Sequence, residues 1–155
     1  DRGKLGLKRS VLVDGGGIPI GWVLAGANRN DSPLLRPTLE TLAVVGFRLP
    51  EVITVHLDAG YDSARTRDLL SELGCTPNIT PKGVFLPINH TRRWVVERTN
   101  SWHNRGFSAL ARVTDRQGCV QNAWVALASA IIIIRRLVRQ SWKRYRWDSR
   151  PARCP

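Results

Sequence analysis

Residues 51–63, Glu-Val-Ile-Thr-Val-His-Leu-Asp-Ala-Gly-Tyr-Asp-Ser, decide how this chain is read. Val52, Ile53, Val55 and Leu57 make a short apolar, β-branched run that predicts a buried strand. The run stops at Asp58. Ala59 to Ser63 then forms a tight turn, and Asp62 or Ser63 is placed to cap a helix. That helix carries Leu69, Leu70 and Leu73 and ends at Gly74, and residues 76–80 form a second short strand. A carboxylate just past a strand stands where open α/β sheets gather their ligands. Asp58 is therefore a candidate metal ligand, or else an acid that caps the turn after it.

Upstream, residues 1–9 are basic and glycine-containing and read as a loop or arm. Ser10–Val13 and Ile18–Leu24 are apolar runs separated by Asp14-Gly15-Gly16-Gly17, which predicts a β-hairpin. Asp14 reads as a turn residue. Asp31 or Ser32 begins a helix over roughly 33–45, with Pro33 in its first turn and Gly46 at its end.

Downstream, 81–89 is a loop and Thr91 opens a third helix with Trp94, Val95 and Trp102. A fourth helix is expected from about Val120 to near Arg139. Its apolar run, Ala123–Ile134, is shorter than the roughly 20 residues a membrane span needs, so it reads as a buried core helix. The order is hairpin, helix, strand, helix, strand, helix, helix, a mixed α/β class. Residues 1–140 read as one partial domain and 141–155 as a basic, aromatic tail.

The chain has 155 residues, 43% of them hydrophobic, and a formal net charge of +12. That length suffices for one real core. The charge implies a polyanionic partner, nucleic acid before an anionic membrane. Cys75, Cys119 and Cys154 lack zinc or redox spacing and read as reduced thiols. His56, His90 and His103 show no ligand spacing and read as structural. The sequence holds no Met and begins at Asp1, so a preceding segment is expected.

Glu97 lies in Arg92-Arg93-Trp94-Val95-Val96-Glu97-Arg98-Thr99. Taken alone it is an exposed helix acid, one turn from Arg93 and able to pair with it. Four segments change that reading. DRGKLGLKRSVLVDGGGIPIG, GANRNDSPLL, LDAGYDSARTRDLL and RRWVVERTNSWHNRG occur in this order. Together they resemble the catalytic domain of bacterial insertion-sequence transposases of the DDE class, over nearly the whole chain.

The resemblance implies a ribonuclease H-like mixed sheet flanked by helices. It also implies an Asp-Asp-Glu triad holding two Mg²⁺ ions, for which Mn²⁺ substitutes. Asp58 matches the second Asp and Glu97 the Glu, as catalytic metal ligands. Arg93 matches an Arg common before the Glu, and Arg98 joins it as an expected DNA contact. The family signature has Tyr and Lys flanking the Glu, where this chain has His90 and Asn104. The first strand and its Asp would precede Asp1, which would leave this fragment inactive alone. The expected partners are element-end and target DNA, with a homodimer and no membrane, in the bacterial cytoplasm at the nucleoid. Two alternatives stand beside this: a DNA-binding remnant that cuts nothing, and a host nuclease of the same fold. Asp31 and Asp62 are expected as helix caps, and Trp94 and Trp102 as core.

Overall fold

The computed structural model describes residues 6–46, 49–84, 87, 91–112 and 117–145. Strands β1 (Leu7–Val13) and β2 (Pro19–Gly26) form an antiparallel hairpin, with Val11 opposite Trp22 and an irregularity after Leu12. Leu7, Lys8 and Arg9 belong to the strand rather than to an arm, because their backbones pair with Gly26, Ala25 and Leu24. Proline is tolerated at the start of β2, where a missing N–H costs least.

Helix α1 (Ser32–Val45) follows, with Pro near its start and Gly46 left-handed at φ 65° beyond its end. Asp31 sits at its N-cap but makes no side-chain cap; its carboxylate pairs instead with Lys8 Nζ at 3.0 Å. Strand β3 (Ile53–Leu57) leads through a 3-10 turn (Ala59–Tyr61) into helix α2 (Ala64–Glu72) and strand β4 (Cys75–Ile79). β3 and β4 are parallel and in register from Ile53–Cys75 to Leu57–Ile79. Ser63 caps α2 by accepting from Thr66 N. Asp62, the other expected cap, instead pairs with Arg67 at 2.7 Å and accepts from Lys82 N.

Helices α3 (Arg93–Gly106), α4 (Ser108–Ala111) and α5 (Gly118–Tyr145) complete the order. α5 runs past residue 140, where the sequence places the start of a tail. The fold is mixed α/β, as expected. The expected single mixed sheet is not what the described residues form: they make two separate two-stranded sheets. An isolated strand pair is marginal in water, so each leans on helices.

Two apolar clusters do this. Leu35 and Leu39 of α1 meet Val55 of β3 and Leu70 of α2, with Leu12 from the hairpin joining them. Leu110, Val125 and Ala128 of α4 and α5 pack under Trp22 and Leu24 of β2. The hairpin thus contributes to both. β2 runs so close to α1 that a Cβ on Gly21 would lie 1.9 Å from Thr41 Oγ1. Glycine is required there by space rather than by backbone angle.

α5 corrects the sequence reading. Its 25-residue stretch Gly118–Trp142 is long and apolar enough to cross a membrane by length and composition, yet only 28% of the apolar window within it is buried. It is therefore not a buried core helix: one side carries Val125, Ala128, Ser129 and Ile132 into the protein, and the rest faces outward. Arg135, Arg136 and Arg139 interrupt its last third, which disfavours a span.

Candidate active site

Asp58 lies immediately past the carboxyl end of β3, in extended backbone. Its Oδ1 accepts from Gly60 N at 2.9 Å, and Tyr61 N bonds to its carbonyl. Of the two roles open to it in sequence, the geometry shows the cap: one oxygen closes the turn. The other oxygen makes no hydrogen bond or ion pair with the described residues. Tyr61 beside it is pushed up to about 12, first by burial, then by the charges of Asp31 and Asp58.

Glu97 is exposed on α3 and pairs with Arg93 Nη2 at 3.7 Å. The i,i+4 pairing open to it in sequence is therefore present. Arg93 is exposed as well. No direct contact joins Asp58 to Glu97. Burial, and after it the charge of Arg92 just before α3, lowers the pKa of His56 on β3. Among the described residues, no group of three or more His, Cys, Asp or Glu side chains gathers as a metal site.

Asp14 behaves as a turn residue. Its Oδ1 accepts from Gly16 N and Ile18 N, both at 2.8 Å. Gly17 follows at φ 83°, a conformation that favours glycine.

Arg98 is held on both sides. Its guanidinium lies 4.4 Å from the Trp94 ring centroid and 4.9 Å from that of Trp102, and Nη2 donates to Gly16 O at 2.7 Å. These three residues fall at i, i+4 and i+8 of one helix, so their spacing puts them on one face, and the bond to Gly16 fixes the guanidinium there. Trp94 and Trp102, expected in the core, are 39% and 37% exposed. Their inner faces clasp Arg98 and their outer faces meet water.

Beneath this stack, Thr99 Oγ1 donates to Gly17 O at 2.7 Å, anchoring α3 to the hairpin turn. Arg92 and Arg136 also reach that turn, lying 3.7 and 3.3 Å from where Cβ atoms would stand on Gly15 and Gly16. Arg92 and Arg136 are far apart in sequence, and the packing of α5 on α3 brings them to the same turn.

His103 is fully buried and bonded to Ser129 Oγ at 3.2 Å, and burial together with the Arg9 charge pushes it down to about 4. That fits the structural role expected of it. His90 lies outside the described residues. Asn104, which stands where the family signature carries Lys, accepts a hydrogen bond from Arg9 Nη2 of β1. The Arg9 side chain of β1 thus reaches Asn104.

The donor chemistry suits a hard divalent cation. Asp58 and Glu97 offer carboxylate oxygens, Asp58 has an oxygen to spare, and Mg²⁺ binds through few carboxylates while keeping waters.

Residues 1–85 match the family model described as "Transposase DDE domain". The chain belongs to the DDE-domain transposase family. It is also 31% identical over 137 residues to a protein named as a transposase for insertion sequence element IS402 in Burkholderia cepacia. That alignment covers 85% of this chain and 64% of the relative, so the chain spans a little under two thirds of the relative's length. Asp58 falls inside the family match and Glu97 beyond it.

Proposed function

We propose that this chain forms most of the catalytic domain of a DNA transposase, which cuts DNA at the ends of an insertion sequence and joins those ends to target DNA. The observation that carries the proposal is Asp58. It stands past a parallel strand with its backbone fixed, one oxygen bound to Gly60 N and the other left to a ligand. Glu97, exposed on α3, is the second acid.

In this reading Asp58 and Glu97 hold divalent ions, Mg²⁺ or Mn²⁺ in its place, two of them. Bound there, such ions activate a water or 3′-hydroxyl and stabilise the leaving oxygen. Asp58 presents a ligand oxygen from a position that its Gly60 bond keeps still. Arg93 holds the Glu97 carboxylate and, being exposed, reaches DNA phosphate. Arg98 contributes through the N–H groups not spent on Gly16. The excess of cations binds the duplex backbone.

The two sheets support a ribonuclease H-like arrangement in which a further strand lies between β1 and β3 and carries the first acid. Asp14 is read as a turn residue instead: its Oδ1 accepts from both Gly16 N and Ile18 N and it sits in the β1–β2 hairpin turn, not at the end of a strand beside β3. Residues 1–155 alone are therefore expected to bind DNA without cutting it. Two element ends call for two copies of the protein, acting in the bacterial cytoplasm.

The test is made in the protein expressed from its complete gene. Asp58→Asn and Glu97→Gln are each expected to cut end-bearing DNA at least ~1,000-fold more slowly, a loss of about 4 kcal/mol of transition-state stabilisation. DNA affinity should stay within a few-fold. Normal cutting by either variant would refute the assignment. Binding should weaken steadily as salt rises, through counterion release; salt-independent binding would contradict the basic surface.

A further inference from the structure

The outward side of α5 carries an apolar stripe that the fold leaves uncovered. Trp124, Leu127, Ile134, Val138 and Trp142 are each between 38% and 69% exposed, and Ile131 between them is half-buried. Trp124, Leu127, Ile131, Ile134 and Val138 follow one another at alternating steps of three and four residues. That spacing is the a/d seam of a two-helix coiled coil. Positions 125, 128, 129 and 132, which face the protein, lie on a different side of the helix.

We propose that this stripe is the interface with a second copy of the chain, the two α5 helices packing antiparallel. Three features choose that occupant. First, the seam is complementary to itself when reversed: Ile131 meets Ile134 of the partner subunit, Leu127 meets Val138 of the partner subunit, and Trp124 lies near Trp142 of the partner subunit.

Second, α5 contains no Asp or Glu, and its cations begin only at Arg135. Antiparallel packing sets that basic half against the uncharged half Gly118–Ile134 of the other copy. A parallel pair would stack Arg135 and Arg139 on their own images, where like charges repel.

Third, the area suffices. An aromatic side chain buries about 150–250 Å² and a branched aliphatic one somewhat less, so the stripe offers roughly 500 Å² per copy. A symmetric pair then buries about 1,000 Å², the size at which a specific interface begins.

The inference gives the two-copy reading above a surface, and rests on that reading only for its biological purpose. In the cutting-competent protein of the preceding test, Asp58→Asn should stop cutting without dissociating the pair, and seam variants leave Asp58 and Glu97 in place, so the two ideas fail separately.

Sedimentation equilibrium of the full chain over a range of micromolar concentrations should give twice the 17.4 kDa chain mass. Ile134→Glu and Val138→Glu should each halve it while the helical circular dichroism is kept. Val44→Glu, at an 86% exposed site on α1, should leave it doubled. A single-chain mass for the unaltered protein overturns the proposal, as does a dimer that survives both seam variants. So does a chain monomeric in solution whose binding to phosphatidylglycerol vesicles is abolished by Ile134→Glu.

Orientation is read by cross-linking, with Cys75, Cys119 and Cys154 replaced by Ser. Leu127→Cys mixed with Val138→Cys should form a disulfide under mild oxidation, and neither alone should. Cross-linking of either variant with itself would overturn the antiparallel arrangement.

Discussion

The two candidate acids are held by different parts of the molecule in different ways. Asp58 belongs to the unit β3–α2–β4, where two parallel strands and a capped helix close over Leu70 and Val55. Its carboxylate is tied to backbone two residues on. Glu97 belongs to the unit of hairpin, α3 and α5. Its carboxylate is tied only to a flexible side chain, Arg93, at 3.7 Å. The polar weight of that second unit lies one helical face away, where Thr99, Arg98 and His103 bind the hairpin turn and α5. A strand end thus gives a fixed ligand, while a helix face gives one that can swing. Such a pair suits a site that grips a metal firmly from one side and adjusts from the other.

The largest expected effect sets the two acids against each other. If Asp58 is the fixed ligand, Asp58→Glu, which displaces the carboxylate by a methylene, should lose nearly as much cutting as Asp58→Asn. Glu97→Asp should retain more than Glu97→Gln. Equal retention by both conservative variants, measured by strand cleavage in Mn²⁺, would erase the contrast.

Next comes pH, which probes the helical unit alone. His103 has a folded pKa of about 4, below its ordinary 6.5. A depressed histidine stabilises the fold fully above 6.5, where both states are neutral. That stability is lost as pH falls from 6.5 to 4, because the unfolded chain takes up a proton that the folded one refuses. The loss amounts to at most about 3 kcal/mol. Urea unfolding at stepped pH should show this decline, and His103→Gln should flatten it. An unchanged slope in the variant would place the titration elsewhere.

Gly21→Ala comes third. The added methyl has no room against Thr41, so about 1–3 kcal/mol of stability should be lost by denaturant midpoint. A neutral result would mean that β2 and α1 leave room for a methyl group beside Thr41.

The smallest pair returns to the opening contrast. Ser63→Ala removes the α2 cap beside Asp58 and should cost about 1 kcal/mol. Arg93→Ala removes an exposed i,i+4 pair and should cost only about 0.3–0.5 kcal/mol. Reversal of that order would contradict a firmly held Asp58 and a loosely held Glu97.

Much of this was legible in the chain itself. The strand before Asp58, the hairpin about Asp14–Gly17 and the helix ending at Gly46 all follow from local periodicity and turn chemistry. Asp58 could be found because a carboxylate after a buried strand is a local pattern. Glu97 could not be found that way: an exposed helix Glu beside an Arg resembles any salt-bridged acid, and only the ordered family segments singled it out. The caps show the limit well. Asp31 and Asp62 have the right residue type at the right place, yet Lys8, Arg67 and the Lys82 N–H compete for their carboxylates. Those competitors come from other turns and strands.

The sequence by itself determined the elements, the surplus of positive charge and the two acids that the family resemblance marks. These depend on residues within a few positions of one another, or on totals that no folding alters. Tertiary structure alone decided that the strands make two sheets, that Arg98 is clasped between two indoles over Gly16, that Arg136 joins Arg92 at the hairpin turn, and that one side of α5 is left bare. Each of these depends on which surfaces meet across long stretches of chain. Periodicity identifies a helix and its apolar sides, but it does not say which side the rest of the protein will cover.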